Sequence, residues 1–239
     1  MMLETQDLWR TFGGVAAVAG VNFSLQEGEL RCLIGANGAG KSTFFKMLTG
    51  QIKPSSGRIR LFGKDVTGAQ PFAIARMGVG VKTQVPNLFN QLSVHENIYL
   101  SARRTMADAQ ARRATHEMLE RIQMLEHAQT LTGTLAHGHR QWVELGMILA
   151  VRPRLVLLDE PAAGMTVGEV ERTIALLEQL RGQCTFIVVE HDMHFIRRIA
   201  ERVTVFHRGR VLVEDTMEGV LRNEEVRDAY LGQHGKEAR

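Results

Sequence analysis

The order of apolar and polar positions along the chain predicts short strands alternating with longer helices. Up to about Ser24, the residues Val15, Val18, Val21 and Phe23 fall at β-like spacing, and residues 28–35 (GELRCLIG) form an apolar run of the kind that a buried strand needs. A glycine-rich turn follows, and helical sequence begins at about Lys41. From about Ser93 to Ala128 the strand signal disappears. Charged, alanine-rich sequence there sets Met118, Leu119, Ile122 and Leu125 at helical spacing, which predicts an inserted helical segment. Strand-like runs return at 155–158, 185–189 and 203–206 with helical stretches between them, and the tail from Thr216 reads as helical and polar. Strands alternating with helices specify the α/β class, a mostly parallel sheet covered by helices.

Composition narrows this without changing it. At 239 residues and 44% hydrophobic positions, the chain can bury the core of one α/β domain with a subdomain. Lysine and arginine exceed aspartate and glutamate by 29 to 26, a net charge of +3 spread along the sequence that demands no nucleic acid or acidic surface. Cys32 and Cys184 each sit among strand-like apolar residues, with no second cysteine at metal or redox spacing, so both read as buried packing thiols. The opening MMLETQDLWR carries acids where a secretory leader has a basic and then an apolar stretch, so the expected location is the cytoplasm. The longest uncharged stretch, from Phe12 to Gln26, is broken by glycine, asparagine and serine and falls short of the ~20 apolar residues of a spanning helix. Any membrane role therefore comes through a partner.

Two motifs carry chemistry. Residues 35–43 (GANGAGKST) fit the phosphate-binding loop G-x-x-x-x-G-K-[ST]. Gly35, Gly38 and Gly40, with Asn37 and Ala39 between them, let backbone N–H groups curl around phosphate oxygens, while the helix that follows directs its positive end at them. Lys41 neutralises the β and γ phosphates in such a loop, Ser42 ligates Mg²⁺, and Thr43 completes the turn. The second motif is LVLLDE, residues 155–160, an apolar strand that delivers two acids at its carboxyl end, where α/β sheets place ligands. Asp159 is placed to hold Mg²⁺ through water, and Glu160 to act as general base on the attacking water.

Between these motifs lie Gln84 in GVKTQ and the segment LAHGH at 135–139, which opens an amphipathic helix; beyond them, His191 in VVEHD follows another strand. In this order the sequence resembles the ATP-binding-cassette ATPases along essentially its whole length. The resemblance implies a P-loop NTPase (RecA-like) core with an N-terminal antiparallel β subdomain and an inserted α-helical subdomain at approximately 87–151. It implies ATP and Mg²⁺ as ligands. Phe12 becomes the aromatic that stacks on adenine, Gln84 a Mg²⁺ and interface-sensing glutamine, Ala136, His137, Gly138 and His139 the signature, and His191 the switch histidine. Gly138, at the start of its helix, exposes N–H groups to a phosphate held by the opposite subunit. The implied partners are a second ATPase subunit, membrane-spanning permease subunits and, indirectly, a periplasmic substrate-binding protein, with the chain peripheral on the inner face of the membrane and no nucleic acid expected.

The sequence departs from the family pattern at three places. Ala136, His137 and His139 stand where LSGGQ has its serine, first glycine and glutamine; Thr166 replaces an aspartate; and Thr83 precedes Gln84 where an aromatic is frequent. A nucleic-acid-linked ATPase of this family would carry a second cassette, a coiled-coil or zinc insertion, or basic arms. Ala136 and Thr166 leave a degenerate, non-hydrolysing nucleotide sensor as a second alternative, against which Lys41, Asp159, Glu160 and His191 are all present. The runs GELRCLIGANGAGKSTFF, IARMGVG, HGHRQWVELGMILA and DEPAAGMT, with a terminal AYLG, are similar to the ATPase subunits of importers for branched-chain amino acids and especially urea or short amides. Pro86, Leu88, Phe89 and Leu92 are candidate apolar anchors for a permease.

Overall fold

The computed structural model describes residues 1–84 and 86–228, so the terminal AYLG lies outside the described residues. Two sheets organise them. A four-stranded antiparallel sheet has the order β2 (Val15–Leu25), β1 (Leu3–Phe12), β4 (Ser56–Leu61), β5 (Lys64–Asp65). A six-stranded sheet has the order β10 (Arg210–Asp215), β9 (Arg202–His207), β3 (Leu30–Ile34), β8 (Thr185–Val189), β7 (Leu155–Asp159), β6 (Val79–Lys82), parallel except for the edge hairpin of β9 and β10. Helices α1 (Lys41–Leu48), α2 (Pro71–Arg76), α3 (Val94–Arg103), α4 (Asp108–Arg121), α5 (His137–Ala150), α6 (Val167–Gln179), α7 (Met193–Ile199), α8 (Met217–Arg222) and the short α9 (Glu224–Val226) connect and cover the strands. None of the described helices is long and apolar enough to cross a membrane.

Side chains on a strand alternate between faces, and here the alternation divides the core in two. Leu30, Cys32, Ile34, Val156, Leu158, Phe186 and Val188 join one cluster with α3 to α7. Leu33, Leu155, Leu157, Ile187 and Val189 join a second with α1 and the antiparallel sheet. Both cysteines are buried, and burial pushes the Cys184 thiol up to about 12. Arg31, odd in position and fully covered, is held by the Glu29 and Glu214 carboxylates at 2.6 and 2.7 Å.

Between β6 and β7 the chain is helical. Ser93 and Glu96 form a reciprocal cap that starts α3, and Gly146 lets α5 pack closely, since a Cβ there would stand 2.9 Å from Ile122 and 3.3 Å from Ile98. The structure differs from the sequence reading in two respects. Leu125 is not on the α4 face: Gln123 takes a left-handed φ of 55° and ends the helix, leaving Leu125 exposed in a 3-10 turn. Strands β4, β5, β6 and β10 were not expected. β4 alternates only over Arg58 to Leu61, β6 has four residues with a glycine among them, and β10 is a half-buried edge without alternation, so each pattern is too short or too uniform to mark a strand.

Candidate active site

Four loops meet at the carboxyl ends of β3, β6, β7 and β8, the edge at which a parallel sheet places its ligands. The loop after β3 curls because Gly35, Gly38 and Gly40 have φ of 148°, 78° and 106°. At Gly35 a Cβ would stand 2.3 Å from the Phe206 carbonyl, and at Gly40 2.4 Å from that of Ala17, so neighbouring backbone as well as conformation requires glycine. Asn37 and Gly38 are exposed at the tip and Ala39 is buried beneath it. Gly40 gives α1 no side-chain cap, which leaves the N–H groups of the first turn, at Lys41, Ser42 and Thr43, available to an anion. The Lys41 ammonium donates to the carbonyls of Gly35 and Ala36 at 2.6 and 3.1 Å, holding its charge inside the curl. Burial lowers the Lys41 pKa, and Glu160 and Asp159 oppose that shift.

Asp159 ends β7 and Glu160 follows with a φ of 48°, a left-handed turn that aims the two acids differently. The Gln84 amide donates to Glu160 Oε2 at 3.1 Å, and His191 Nδ1 lies 3.7 Å from Glu160 Oε1. The structure thus gathers Gln84, Glu160 and His191 from three separate loops. The Asp159 pKa is raised, first by burial and then by the Glu160 charge, although Lys82, Lys46 and Lys41 oppose the rise. A half-buried carboxylate whose ionised form is disfavoured by burial and by the neighbouring Glu160 charge, at the strand end beside the loop of Lys41, is an oxygen donor that fits a hard divalent cation. Bound there, Mg²⁺ would neutralise phosphate oxygens.

Glu190 escaped the sequence reading. It is 2% exposed; one oxygen accepts from the Ala162 N–H at 3.0 Å and the other from the N–H groups of His191 and Asp192 at 3.0 and 3.4 Å. It ties the loop after Glu160 to the loop that carries His191. The signal was available, because VVE repeats the apolar strand ending in an acid that marked residues 155–160.

The signature residues begin α5, with Ala136 at its cap and no side-chain hydrogen bond there. His137 Nε2 lies 3.2 Å from the Ala163 carbonyl and 3.1 Å from the Gln141 amide nitrogen, so this ring touches the loop after Glu160. His139 turns toward His127 and Trp142, with ring centroids 5.0 and 5.6 Å away. Gly138 is buried, and a Cβ on it would meet the Glu169 carboxylate at 2.0 Å. Glu169 is fixed there by a reciprocal cap with Thr166, an acid beside the signature that the sequence reading also missed. Phe12, at the end of β1, is 44% exposed with the Arg10 guanidinium 4.5 Å from its ring centroid. It pairs with Val15 in the hairpin whose Ala17 backs Gly40, on the flank of the phosphate loop.

The family model for ABC transporters matches residues 18–163. Among curated proteins, the high-affinity branched-chain amino acid transport ATP-binding protein BraF of Pseudomonas aeruginosa is 34% identical over 250 residues, covering 97% of this chain and 98% of the relative. The protein of the same description named LivG in Escherichia coli K12 is 36% identical over 252 residues, at 97% and 98% coverage. Among solved structures, the ADP conformation of an ATP-binding cassette of an ABC transporter aligns with a TM-score of 0.86 at 25% identity, over 97% of this chain and 98% of the other. The cbiO1 protein of Clostridium perfringens, part of the ABC transporter complex cbiONQ, aligns at 0.84 and 27% identity over 98% and 97%. With the phosphate loop, the paired acids and these similarities together, the chain belongs to the ABC transporter family and is one of its ATP-hydrolysing subunits.

Proposed function

We propose that this subunit binds MgATP at the loop of residues 35–43, hydrolyses it in a dimer, and powers an importer of a small nitrogen compound. The observation that carries the chemistry is the meeting of Gln84, Glu160 and His191 beside the Lys41 loop. In this reading Lys41 grips the β and γ phosphates, and Ser42, Gln84 and Asp159 hold the metal. Glu160 takes the proton of the attacking water, and His191 carries the product charge. Phe12 supports the base. The first turn of α5, from Ala136 to His139, meets the γ-phosphate held by the second subunit. Residues 87–151 form the helical subdomain that moves with it. Replacing Glu160 by Gln retains shape and ATP affinity while turnover falls by ~10²–10⁴, the scale of a general base. ATP-bound dimers then accumulate in light scattering. Wild-type turnover by this variant, or no ATP-dependent dimer, removes the assignment.

Transport needs membrane-spanning permeases and, outside, a substrate-binding protein; the subunit then sits on the inner face of the membrane. The names of BraF and LivG support a branched-chain amino acid as cargo. The HGHRQWVELGMILA run supports urea or a short amide, which we favour. Uptake of labelled urea, short amides and leucine in a strain lacking the gene decides the cargo. Loss of leucine uptake alone overturns the urea preference, and loss of none overturns the importer reading.

A further inference from the structure

A buried ion pair lies behind the active site and takes no part in the chemistry described above. Lys82, the last residue of β6, is fully buried, and Glu144, in the middle of α5, is 4% exposed. Their charged ends are 3.8 Å apart. Neither is satisfied by the other, because 3.8 Å is beyond hydrogen-bond reach. Lys82 instead donates to the Thr83 carbonyl at 3.3 Å, and Glu144 Oε1 accepts from the Asn87 N–H at 2.9 Å. Glu144 Oε2 is one of the few buried side-chain oxygens with no hydrogen-bond partner among the described residues.

The two backbone contacts fall on either side of Gln84. Thr83 precedes it directly and Asn87 follows it by three residues, so one ion pair fastens both ends of the short segment that holds the Gln84 amide on Glu160. Glu144 also lines a groove of about 820 Å³ between β6, α2, α3 and α5, with Phe72, Arg76, Ser101 and Ile148 among its walls. Burying two charges this imperfectly is costly, and apolar residues of similar size often serve stability as well or better. Stability alone therefore gives no reason for a lysine and a glutamate here.

We propose that Lys82 and Glu144 are positioning residues that clamp the 83–87 segment to the signature helix α5 and thereby set Gln84 against Glu160. The inference rests on the assignment of Gln84 and Glu160 to the hydrolytic site. The geometry allows the clamp to tighten. Drawing the two ends together by about 1 Å would form a charge-assisted bond of ~2.8 Å, and a shift of α5 toward or away from β6 changes that separation directly.

The test compares Glu144→Gln, Lys82→Met and the double variant in the full-length chain. For each, melting temperature, MgATP affinity by titration and turnover by phosphate release are measured. The Gln side chain keeps the acceptor for Asn87 and removes the charge. The double variant leaves no uncompensated charge and is expected to melt at or above the wild-type temperature. All three are expected to bind MgATP within threefold of wild type and to lose at least tenfold in turnover, so that turnover and stability part company in the double variant. A double variant that is stable and turns over at the wild-type rate overturns the proposal and leaves the pair a packing feature. Equal losses in affinity and turnover overturn it as well, since they place the defect in nucleotide binding. If a single variant does not fold, the double variant decides. Gln84→Ala and Glu160→Gln run alongside; wild-type turnover in these would remove the assigned site itself, a different failure from an inert clamp.

Discussion

Asp159 holds a charge that its surroundings disfavour, and the sign of the consequence can be worked out. Burial and the Glu160 carboxylate raise its pKa, so the folded chain binds this proton more tightly than the unfolded chain. Protonation as pH falls through the raised pKa therefore adds to stability, and above that pH the ionised form costs stability. Two outcomes follow from one residue. In metal-free buffer at neutral pH, Asp159→Asn raises the melting temperature in circular dichroism, while Mg²⁺-dependent turnover falls by roughly 10² or more. Mg²⁺ affinity of the wild-type chain, followed by titration at stepped pH, weakens on acidification from above the ordinary carboxylate range. A variant that melts lower than wild type would show that the carboxylate is stabilised by its neighbours, the reverse of this account.

In the proposed role the start of α5 combines two demands in one turn, presenting N–H groups to a phosphate while accommodating Glu169. A Cβ at Gly138 displaces the Glu169 carboxylate, which also caps α6 through Thr166. Gly138→Ala should therefore cost about 1 kcal/mol, the worth of a cap, a fall of about 2–4 °C in a chain of this size. In a Glu169→Ala background most of that cost should vanish, because the two changes share one contact. Gly138→Asp goes further. It sets a second carboxylate beside Glu169 and the incoming phosphate, so turnover should be lost with ATP affinity little changed; full stability in Gly138→Ala or full turnover in Gly138→Asp removes the packing or the phosphate half of the argument. This turn also marks where sequence legibility ends. The phosphate loop, the 155–160 strand and α5 were readable because local pattern and spacing specify them. Glu169 and the Lys82 and Glu144 pair were not, because each owes its role to a contact between residues 31 or 62 positions apart; Glu190 is visible as a strand-end acid, but its tie to Ala162 spans 28 positions. Strand β6 stayed hidden for a related reason: its pairing partner, β7, lies far off in the sequence and decides what its own four-residue pattern does not.

At the scale of the molecule, the segment after Gln84 divides the docking expectation in two. Phe89 is 58% exposed, whereas Leu88 packs partly into the larger core cluster. Phe89→Ser should leave folding stability within about 0.5 kcal/mol, as surface changes do, and Leu88→Ser should cost about 1–3 kcal/mol. Uptake per ATP consumed in reconstituted vesicles should fall in the Phe89 variant; unaltered coupling would place the permease contact elsewhere. The alternation along β7 has a consequence for how this chain can vary over evolutionary time. The faces of Leu155, Val156, Leu157 and Leu158 and the order of Asp159 and Glu160 are counted off along the same five-residue strand and the position after it. Deleting Leu157 would advance Asp159 into the fully buried place of Leu158 and put a glutamate where the proposed metal carboxylate stands. Packing and chemistry share one reading frame there, so a change in length of the kind a loop such as that before α4 absorbs would in β7 misplace the core residues and both acids at once.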